Sequence, residues 1–393
     1  TVSGILGLVH RDGQPVAPKT VQGMVNAMAY WGPDGGGTWV DGCAALGQLL
    51  LYNTPEALYE APPCYHPDYR LAFTAEARID NRAELCDRFG IRPADRPQTP
   101  DSDLILRAYL QWGEDCPDHL LGDWSFAVWH PDDLRLFLAR DHHGNTALYT
   151  YLDERTFAFA SSKKALLALP QVPRTVNDLR IAQILVAWPG DGVQTVHEAI
   201  ERLPPAHTMT VTPETASRHR YWYLEDAPMI DLPSTEAYVE GFLEVFTEAV
   251  RCRLRSYRPV GSTLSSGLDS SSVTALAARE LRAKGETLQA YTAVPMYDVS
   301  HLESKHATGS EELLAALTAT YAGNVTLNWI RAESVTPLDG IYRALWVHDA
   351  PGHAASNQYW LVSLLREAQL QRVGTMLTGQ GGNATISWRG VPA

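Results

Sequence analysis

At residues 264–272 the chain reads Leu264-Ser265-Ser266-Gly267-Leu268-Asp269-Ser270-Ser271-Ser272, a glycine- and serine-rich turn between two segments of regular structure. The preceding residues, 259–264, include β-branched and apolar residues, which predicts a short buried strand. Apolar residues then recur at helical spacing until Gly285, at Val273, Leu276, Ala277 and Leu281. The stretch therefore predicts a strand, a turn and a helix, the repeating unit of parallel α/β sheets.

A turn of this kind is a place where proteins bind anions. The first amides of the helix lack intrahelical acceptors and lie at the positive end of its dipole, so they suit phosphate oxygens. Gly267 allows close approach of the backbone, and the serine hydroxyls add hydrogen-bond donors. Asp269 would repel phosphate unless a cation lies between them, which indicates Mg²⁺. An ordinary N-cap turn is the alternative interpretation of the same residues.

Residues 249–255, followed by 259–261 and this loop, resemble the pyrophosphate-binding segment of the asparagine synthetase family. The family's loop reads Ser-Gly-Gly-Leu-Asp-Ser-Ser, and Ser266 replaces its first glycine. The resemblance implies ATP and Mg²⁺ as ligands, with Asp269 as a metal ligand. It also implies an ATP-binding set made of Leu264, Ser265, Ser266, Gly267, Asp269, Ser270, Thr292 and Gly379.

Length and composition limit the class of protein. A chain of 393 residues is expected to form two domains, and its 45% hydrophobic and 20% charged residues are typical of a soluble globular protein. The net charge of −13 argues against a nucleic-acid-binding surface. No apolar run approaches membrane-spanning length, and no basic signal region opens the chain, so we expect a cytoplasmic protein without membrane contact. The five cysteines form no CxxC pair, which indicates neither a zinc site nor a disulfide framework.

The two halves of the chain differ in their pattern. In the first half, short apolar runs, one of them at 70–73, alternate with turn residues and four helical segments, which predicts an α+β layered domain of antiparallel sheets over residues 1–225. A proline-rich passage, 203–213, and the segment 221–233 are expected to separate it from the second half. Residues 226–393 alternate strand-like runs with helices, which predicts a parallel α/β sheet with ligands at the carboxyl ends of its strands. The strand-like runs are at 260–264, 288–294, 325–330 and 374–378. Ser234 is expected to cap a helix that runs to about Arg255, with an apolar stripe of Tyr238, Phe242, Val245, Phe246 and Ala249.

The first half resembles the glutaminase domain of asparagine synthetases in an ordered series of motifs: Trp31 to Gly35, Phe73 to Glu76, Ser102-Asp103, Leu121 to Ala127 and Leu138 to Asp141. The family uses an N-terminal cysteine whose own α-amine is the base, and Ser3 takes that place with an amide nitrogen. Its Asn-Gly-Glu signature reads Thr74-Ala75-Glu76, and its glutamine-binding arginine aligns with an apolar residue within 47–51. With only Glu76 and Asp103 retained, we expect no ammonia production from glutamine.

A second loop follows the predicted strand at 374–378 and reads Gly379-Gln380-Gly381-Gly382-Asn383. Asparagine synthetases have Gly-Glu-Gly-X-Asp-Glu there, so Gln380 and Asn383 replace two acids and Asn383 would be a weakened metal contact. The pattern resembles lasso-peptide macrolactam synthetases. No catalytic residue is assigned apart from Gln380 as a weak candidate. In such relatives a catalytic lysine lies in a segment that would follow the end of this chain, so the second domain is expected to be incomplete at its C-terminus.

Three functions follow from these observations. The first is an ATP-dependent, AMP-forming ligase that works through an acyl-adenylate and closes a peptide as a macrolactam, as the resemblance implies. The second is amidation of aspartate with ammonia, and the third is a non-catalytic remnant that binds nucleotide or peptide. The expected substrate is a peptide or a small carboxylate. A precursor peptide and the partner that processes it are the further partners we expect.

Overall fold

Three β-sheets organise the part of the chain that the structure describes, residues 3–299, 301, 309–352 and 354–388 of a computed structural model. Two sheets of six antiparallel strands belong to a first unit, Thr1–Pro228, and one sheet of four parallel strands belongs to a second, Met229–Ala393. We call these the N-terminal unit and the C-terminal unit. The sequence predicted a boundary near residue 225. No helix within the described ranges combines the length and the apolar character needed to cross a bilayer.

The N-terminal unit contains twelve strands and five α-helices among its described residues. The strands are β1 (Gly4–His10), β2 (Gly35–Asp41), β3 (Ala44–Leu50), β4 (Cys64–His66), β5 (Leu71–Ile79), β6 (Gly122–His130), β7 (Arg135–Arg140), β8 (Tyr149–Leu152), β9 (Thr156–Ala160), β10 (Glu201–Arg202), β11 (His207–Val211) and β12 (Ala216–Arg220). The helices are α1 (Pro18–Ala27), α2 (Arg82–Arg88), α3 (Asp101–Trp112), α4 (Lys163–Leu167) and α5 (Asp178–Leu185). The strand orders are β10-β8-β9-β1-β3-β2 and β12-β11-β7-β6-β5-β4.

Apolar clusters show how these elements are layered. The inner faces of the two sheets meet in one cluster, which includes Ile5, Trp129 and Phe157. The outer face of the β4–β7 sheet is covered by α2 and α3, and the outer face of the β1–β3 sheet is covered by α1 and α4. The two sheets therefore lie between two layers of helices. The predicted α+β domain of antiparallel sheets is confirmed as a four-layer arrangement.

The length of β5 and the presence of β11 differ from the sequence prediction in this unit. The strand predicted at 70–73 continues to Ile79, so Thr74, Ala75 and Glu76 lie inside β5. The proline-rich passage 203–213 is not a separator, because it contains β11, which pairs with β7 through Thr208 and Ala139. The prolines at 204, 205 and 213 flank this strand, where a missing amide donor interrupts no ladder.

The C-terminal unit is built on a parallel sheet whose strand order is β15-β14-β13-β16. Its strands are β13 (Val260–Thr263), β14 (Leu288–Ala293), β15 (Val325–Ile330) and β16 (Thr375–Leu377). Its α-helices are α6 (Thr235–Arg253), α7 (Leu268–Arg282), α8 (Glu312–Ala322), α9 (Pro337–His348) and α10 (Gln358–Leu370). The predicted parallel sheet is confirmed. The chain runs outward from β13 to β15 and then returns to the other side of β13 as β16, so the strand order reverses between β13 and β16. Open α/β sheets bind ligands at such a reversal.

Helix α6 begins as the sequence predicts, because Ser234 accepts a hydrogen bond from the Ala237 amide at 3.2 Å. Its apolar stripe, however, is largely exposed: Phe242 keeps 48% and Val245 keeps 70% of its surface accessible. On this helix Val250 is the buried residue. The amphipathic pattern therefore predicted the helix but not what covers it.

Candidate functional site

The turn between β13 and α7 is held in shape by its own serines. The hydroxyls of Ser265 and Ser270 lie 2.7 Å apart, and Ser270 Oγ accepts from the Ser265 amide at 3.0 Å. The Gly267 amide in turn donates to Ser265 Oγ at 3.1 Å. The sequence predicted these hydroxyls as donors to phosphate. The structure uses them within the loop, where they fix the position of the helix start.

The first amides of α7 remain as the anion-binding element. Gly267 is the N-cap of this helix and has no side chain that could cap it. The amides of Leu268, Asp269 and Ser270 belong to the first turn, where backbone amides have no intrahelical acceptors. They lie at the carboxyl end of β13, beside the reversal of strand order. The geometry of a helix N-terminus opening a parallel α/β unit is present as predicted from the sequence, and it suits a polyphosphate.

The second loop packs directly against this helix start. A Cβ on Gly379 would lie 2.6 Å from the Ser270 nitrogen, and a Cβ on Gly382 would lie 2.3 Å from Asp269 Cγ. Neither glycine can carry a side chain without moving a neighbour, and Gly381 adopts a left-handed conformation with φ +84°. The fold thus brings together two loops that the sequence separates by more than a hundred residues, and Gly379 lies beside Asp269 and Ser270.

Asp269 is the group at this junction that lacks a partner. Its Oδ1 atom is buried, and no hydrogen-bond partner for it occurs among the described residues. A buried carboxylate oxygen without a donor is destabilising, and a cation would remove that cost. No group of three His, Cys, Asp or Glu side chains suited to a metal occurs in the described ranges. The single carboxylate oxygen of Asp269 that lacks a partner among the described residues fits Mg²⁺, which is usually held by one or two carboxylates together with phosphate oxygens and water.

Gln380 and Asn383 are the two residues of the second loop that stand where the resembled family has acids. Asn383 is exposed, and its Oδ1 accepts a hydrogen bond from Ser387 Oγ at 3.2 Å. Gln380 is also exposed, and its backbone amide donates to Thr378 Oγ1 at 3.4 Å. A metal contact through Asn383 and a catalytic role of Gln380 stay predictions.

Leu264 and Thr292 line the strand ends rather than the loop. The Leu264 amide donates to the Tyr291 carbonyl at 2.9 Å, and its side chain packs in the core with Ala290 and Ala315. Thr292 is fully buried, and its hydroxyl has no partner among the described residues. Leu264 therefore presents only backbone to a ligand, whereas Thr292 retains an unused polar group next to the strand end.

Glu311 is a residue of this site that the sequence did not predict. Glu311 precedes α8, and its Oε1 accepts a hydrogen bond from Ser266 Oγ at 3.3 Å. The contact exists because Ser266 replaces the family's glycine and because α8 packs beside α7. No local pattern around Glu311 indicates this, since the two residues are 45 positions apart.

An apolar cavity of about 500 Å³ adjoins the second loop. Helix α6 forms one wall with Phe242, Val245 and Phe246, and Met376 and Leu377 of β16 form the floor. Gly379, Gln380 and Gly382 close the end nearest the phosphate-binding turn, and Arg253 is the charged residue of the lining. No sequence pattern indicates this cavity, because its walls come from three separate segments.

The N-terminal unit places its predicted site residues around β1 and β5. Ser3 is buried, and its Oγ accepts a hydrogen bond from the Leu51 amide at 3.1 Å. Glu76 is fully buried, and one carboxylate oxygen accepts from Ser161 Oγ at 3.1 Å. Burial raises the pKa of Glu76 well above its ordinary value, and the Ser161 hydrogen bond opposes this only in part.

A cavity of about 240 Å³ lies beside β5 in this unit. Its polar lining includes Gln48, Thr74, Ser102 and Asp103, and no arginine is among the described lining residues. The Thr74 hydroxyl donates to the Gly47 carbonyl at 3.2 Å, and Asp103 accepts from Arg107 at 2.9 Å. Thr74 and Asp103 are thus both hydrogen-bonded within the unit.

Two known protein families match this chain, one in each of its two units. The glutamine amidotransferase domain family matches residues 2–222, and the asparagine synthase family matches residues 241–386. The chain belongs to the asparagine synthetase family. The predicted family resemblance is thereby confirmed, whereas its lasso-peptide branch is not addressed by these matches.

Curated relatives in the asparagine synthetase family are distant. The glutamine-hydrolyzing asparagine synthetase 3 of Bacillus subtilis is 30% identical over 288 residues, which are 72% of this chain and 46% of that protein. The amidase chry2 of Gibberella zeae is 25% identical over 91% of this chain and 53% of its own length. A putative glutamine-hydrolyzing asparagine synthetase 2 of Methanocaldococcus jannaschii is 25% identical over 69% of this chain and 56% of its own length. The chain spans about half the length of the curated relatives it matches.

Proposed function

We propose that the C-terminal unit is an ATP-dependent, AMP-forming carbon–nitrogen ligase that activates a carboxylate and joins it to an amine. The observation that carries this proposal is the buried Asp269 oxygen without a partner among the described residues, at the start of α7 and against Gly382. A helix N-terminus alone suits many anions, but a carboxylate beside it suits a phosphate chain accompanied by a divalent cation. The family membership supports the same chemistry.

The chain's own residues would divide the work at this site. The amides at the start of α7 would hold the pyrophosphate part of ATP, and Asp269 would hold Mg²⁺. Bound Mg²⁺ would neutralise the phosphate charge and favour departure of pyrophosphate. The backbone near Leu264 and Thr292, together with Gly379, would line the rest of the nucleotide site. We place the reaction in the cytoplasm, where ATP is available.

The source of the amine follows from the N-terminal unit. Ser3 follows two other residues, so its nitrogen is an amide that cannot accept a proton, and a hydroxyl is a weaker nucleophile than a thiol. The cavity beside β5 also has no arginine in its described lining to hold a glutamine carboxylate. We therefore propose that this glutaminase-like unit is inactive. An amine of the substrate itself would then close a macrolactam, as in a lasso-type precursor peptide delivered by its processing partner.

Pyrophosphate release tests the ligase. With Mg·ATP and a carboxylate-bearing precursor peptide, the protein should release pyrophosphate and AMP and yield a product lighter than the peptide by one water. The variant Asp269→Asn keeps the size of the side chain and removes its charge, so it should abolish release, whereas Asp226→Asn in the exposed last residues of the N-terminal unit should not change it. No release with any carboxylate would identify a non-catalytic remnant, and calorimetry with Mg·ATP would then show whether that remnant binds nucleotide. Asparagine formed from aspartate and ammonia would identify the simpler amidation.

Glutamate release tests the proposal that the N-terminal unit is inactive as a glutaminase. Purified protein incubated with glutamine should form no glutamate above the uncatalysed background, with and without Mg·ATP. Glutamate formation at an ordinary enzymatic rate of about 1 s⁻¹ or more would contradict an inactive unit.

A further inference from the structure

Strand β16 lies next to the proposed reaction site and, among the described residues, at the edge of its sheet. β16 pairs with β13 on one side, and no strand pairs with its other side among the described residues. Its sequence, Thr375-Met376-Leu377, contains none of the charges or prolines that protect exposed sheet edges. A sheet edge without charges or prolines is a place where a further strand can add.

The apolar cavity lies along the same edge. The rings of Phe242 and Phe246 stack with centroids 5.7 Å apart on the α6 wall, and Met376 and Leu377 of β16 form the floor. Phe242 and Val245 remain exposed although they face this cavity. A volume of about 500 Å³ is ample for one or two large apolar side chains, and a strand on the β16 edge would direct alternate side chains toward it.

We propose that the acyl substrate is an extended peptide that adds to β16 as a parallel strand and places a large apolar side chain in this cavity. The inference rests on the proposed ligase function and says where the C-terminal unit would bind its peptide substrate. All strands of this sheet run parallel, and Gly379 and Gln380 follow β16 closely. A peptide added in the same direction has its carboxyl-terminal part at the end of the sheet where Asp269 lies. Free aspartate offers neither a strand nor an apolar side chain to this surface.

Peptide binding can be measured without ATP. The probe is a fluorescein-labelled hexapeptide of alternating threonine and phenylalanine with a free carboxyl end, compared with the same peptide carrying aspartate in place of phenylalanine. By fluorescence anisotropy, the phenylalanine peptide should bind at least about tenfold more tightly. Val245→Asp places a charge on the exposed cavity wall and should weaken binding about tenfold or more, whereas Leu317→Asp makes the same change at an exposed position of α8 and should have no effect.

The backbone part of the proposal has its own measurement. Methylating the peptide nitrogens one at a time should weaken binding at every second position only, because alternate amides of an added strand point toward its neighbour. This arm does not depend on the folding of any variant. Equal binding of all methylated peptides, equal binding of the aspartate peptide, or no binding of the phenylalanine peptide would overturn the proposal.

Two further outcomes separate the alternatives. A dimer in analytical ultracentrifugation that is lost in Val245→Asp and is unaffected by the peptide would show that a second copy of the chain occupies this edge, which overturns the proposal. Asp269→Ala should leave the affinity for the peptide unchanged while abolishing pyrophosphate release. If the peptide binds but no pyrophosphate is released by the unmodified protein, the ligase function fails and the peptide site stands.

Discussion

At the scale of single residues, the contact between Gly382 and Asp269 carries a direct prediction. A methyl group at position 382 would overlap Asp269 Cγ at 2.3 Å, so Gly382→Ala has to move the loop or the carboxylate by about 1 Å. Such a displacement should reduce ATP-dependent pyrophosphate release by about tenfold to 100-fold. Initial rates with saturating Mg·ATP measure it.

Gly241→Ala is the matched control for that change. Gly241 lies within α6, and a methyl group there would meet nothing closer than a side-chain atom of Leu232 at 3.8 Å. Alanine at this position should stabilise the helix by about 0.5–1 kcal/mol without changing the rate. An unchanged rate in Gly382→Ala would show that the second loop does not shape the site.

The buried carboxyl of Glu76 predicts a dependence of stability on pH. Burial holds the pKa of Glu76 well above its ordinary value, so the neutral acid is the form that the fold favours. Its contribution to stability is complete below the unfolded pKa of about 4.3 and is lost as pH rises toward the folded pKa. Glu76→Gln should therefore match the unmodified protein near pH 4 and exceed its stability by about 1 kcal/mol or more at pH 7.

Urea unfolding of the N-terminal unit at pH 4, 5.5 and 7 measures this difference. Glu154→Gln replaces an exposed carboxyl in the same unit and should give no pH-dependent difference. Parallel pH profiles of Glu76→Gln and the unmodified protein would contradict the assignment of Glu76 as a neutral buried acid.

At the scale of secondary structure elements, the start of α9 is the best-defined case. Thr336 Oγ1 accepts from the Asp339 amide at 3.2 Å, and Asp339 Oδ2 accepts from the Thr336 amide at 2.9 Å, which is a capping box. Thr336→Ala should cost about 1 kcal/mol of the stability of the C-terminal unit in urea unfolding. Thr320→Ala, at an exposed position of α8, is the matched control and should not destabilise the unit.

Elements differ in how well the sequence predicted them. The helix from 235 to 253 and the strand from 325 to 330 were predicted to within two residues, because each has a clear apolar period and a cap or turn at its ends. β11 was missed because prolines surround it, and the length of β5 was missed because Glu76 lies within a strand that tertiary contacts bury completely. Burial by distant layers overrides a local polar signal.

At the scale of the whole molecule, the four layers of the N-terminal unit are complete within its own residues. Among the described residues its core clusters extend no further than Tyr221, and the connection from 223 to 231 is exposed. A fragment of residues 1–228 should therefore unfold cooperatively by itself in urea, with the midpoint of the corresponding transition in the full chain.

Limited proteolysis should cut first in this connection, where Met229 is 95% and Ile230 is 69% exposed. First cuts inside β1–β9, or a fragment without a cooperative transition, would show that the N-terminal unit depends on the residues that follow it.

The sequence by itself determined the classes of structure and the position of the first loop between a strand and a helix. Periodic apolar residues and turn residues act over a few positions, so the antiparallel first half, the parallel second half and the Ser265–Ser270 turn could all be predicted from it. Only the tertiary structure decided that Gly382 lies against Asp269, that Ser266 bonds Glu311, and that α6 and β16 enclose an apolar cavity. The physical reason is that these contacts join residues far apart in the chain, whose approach is fixed by the strand order and the packing of whole elements.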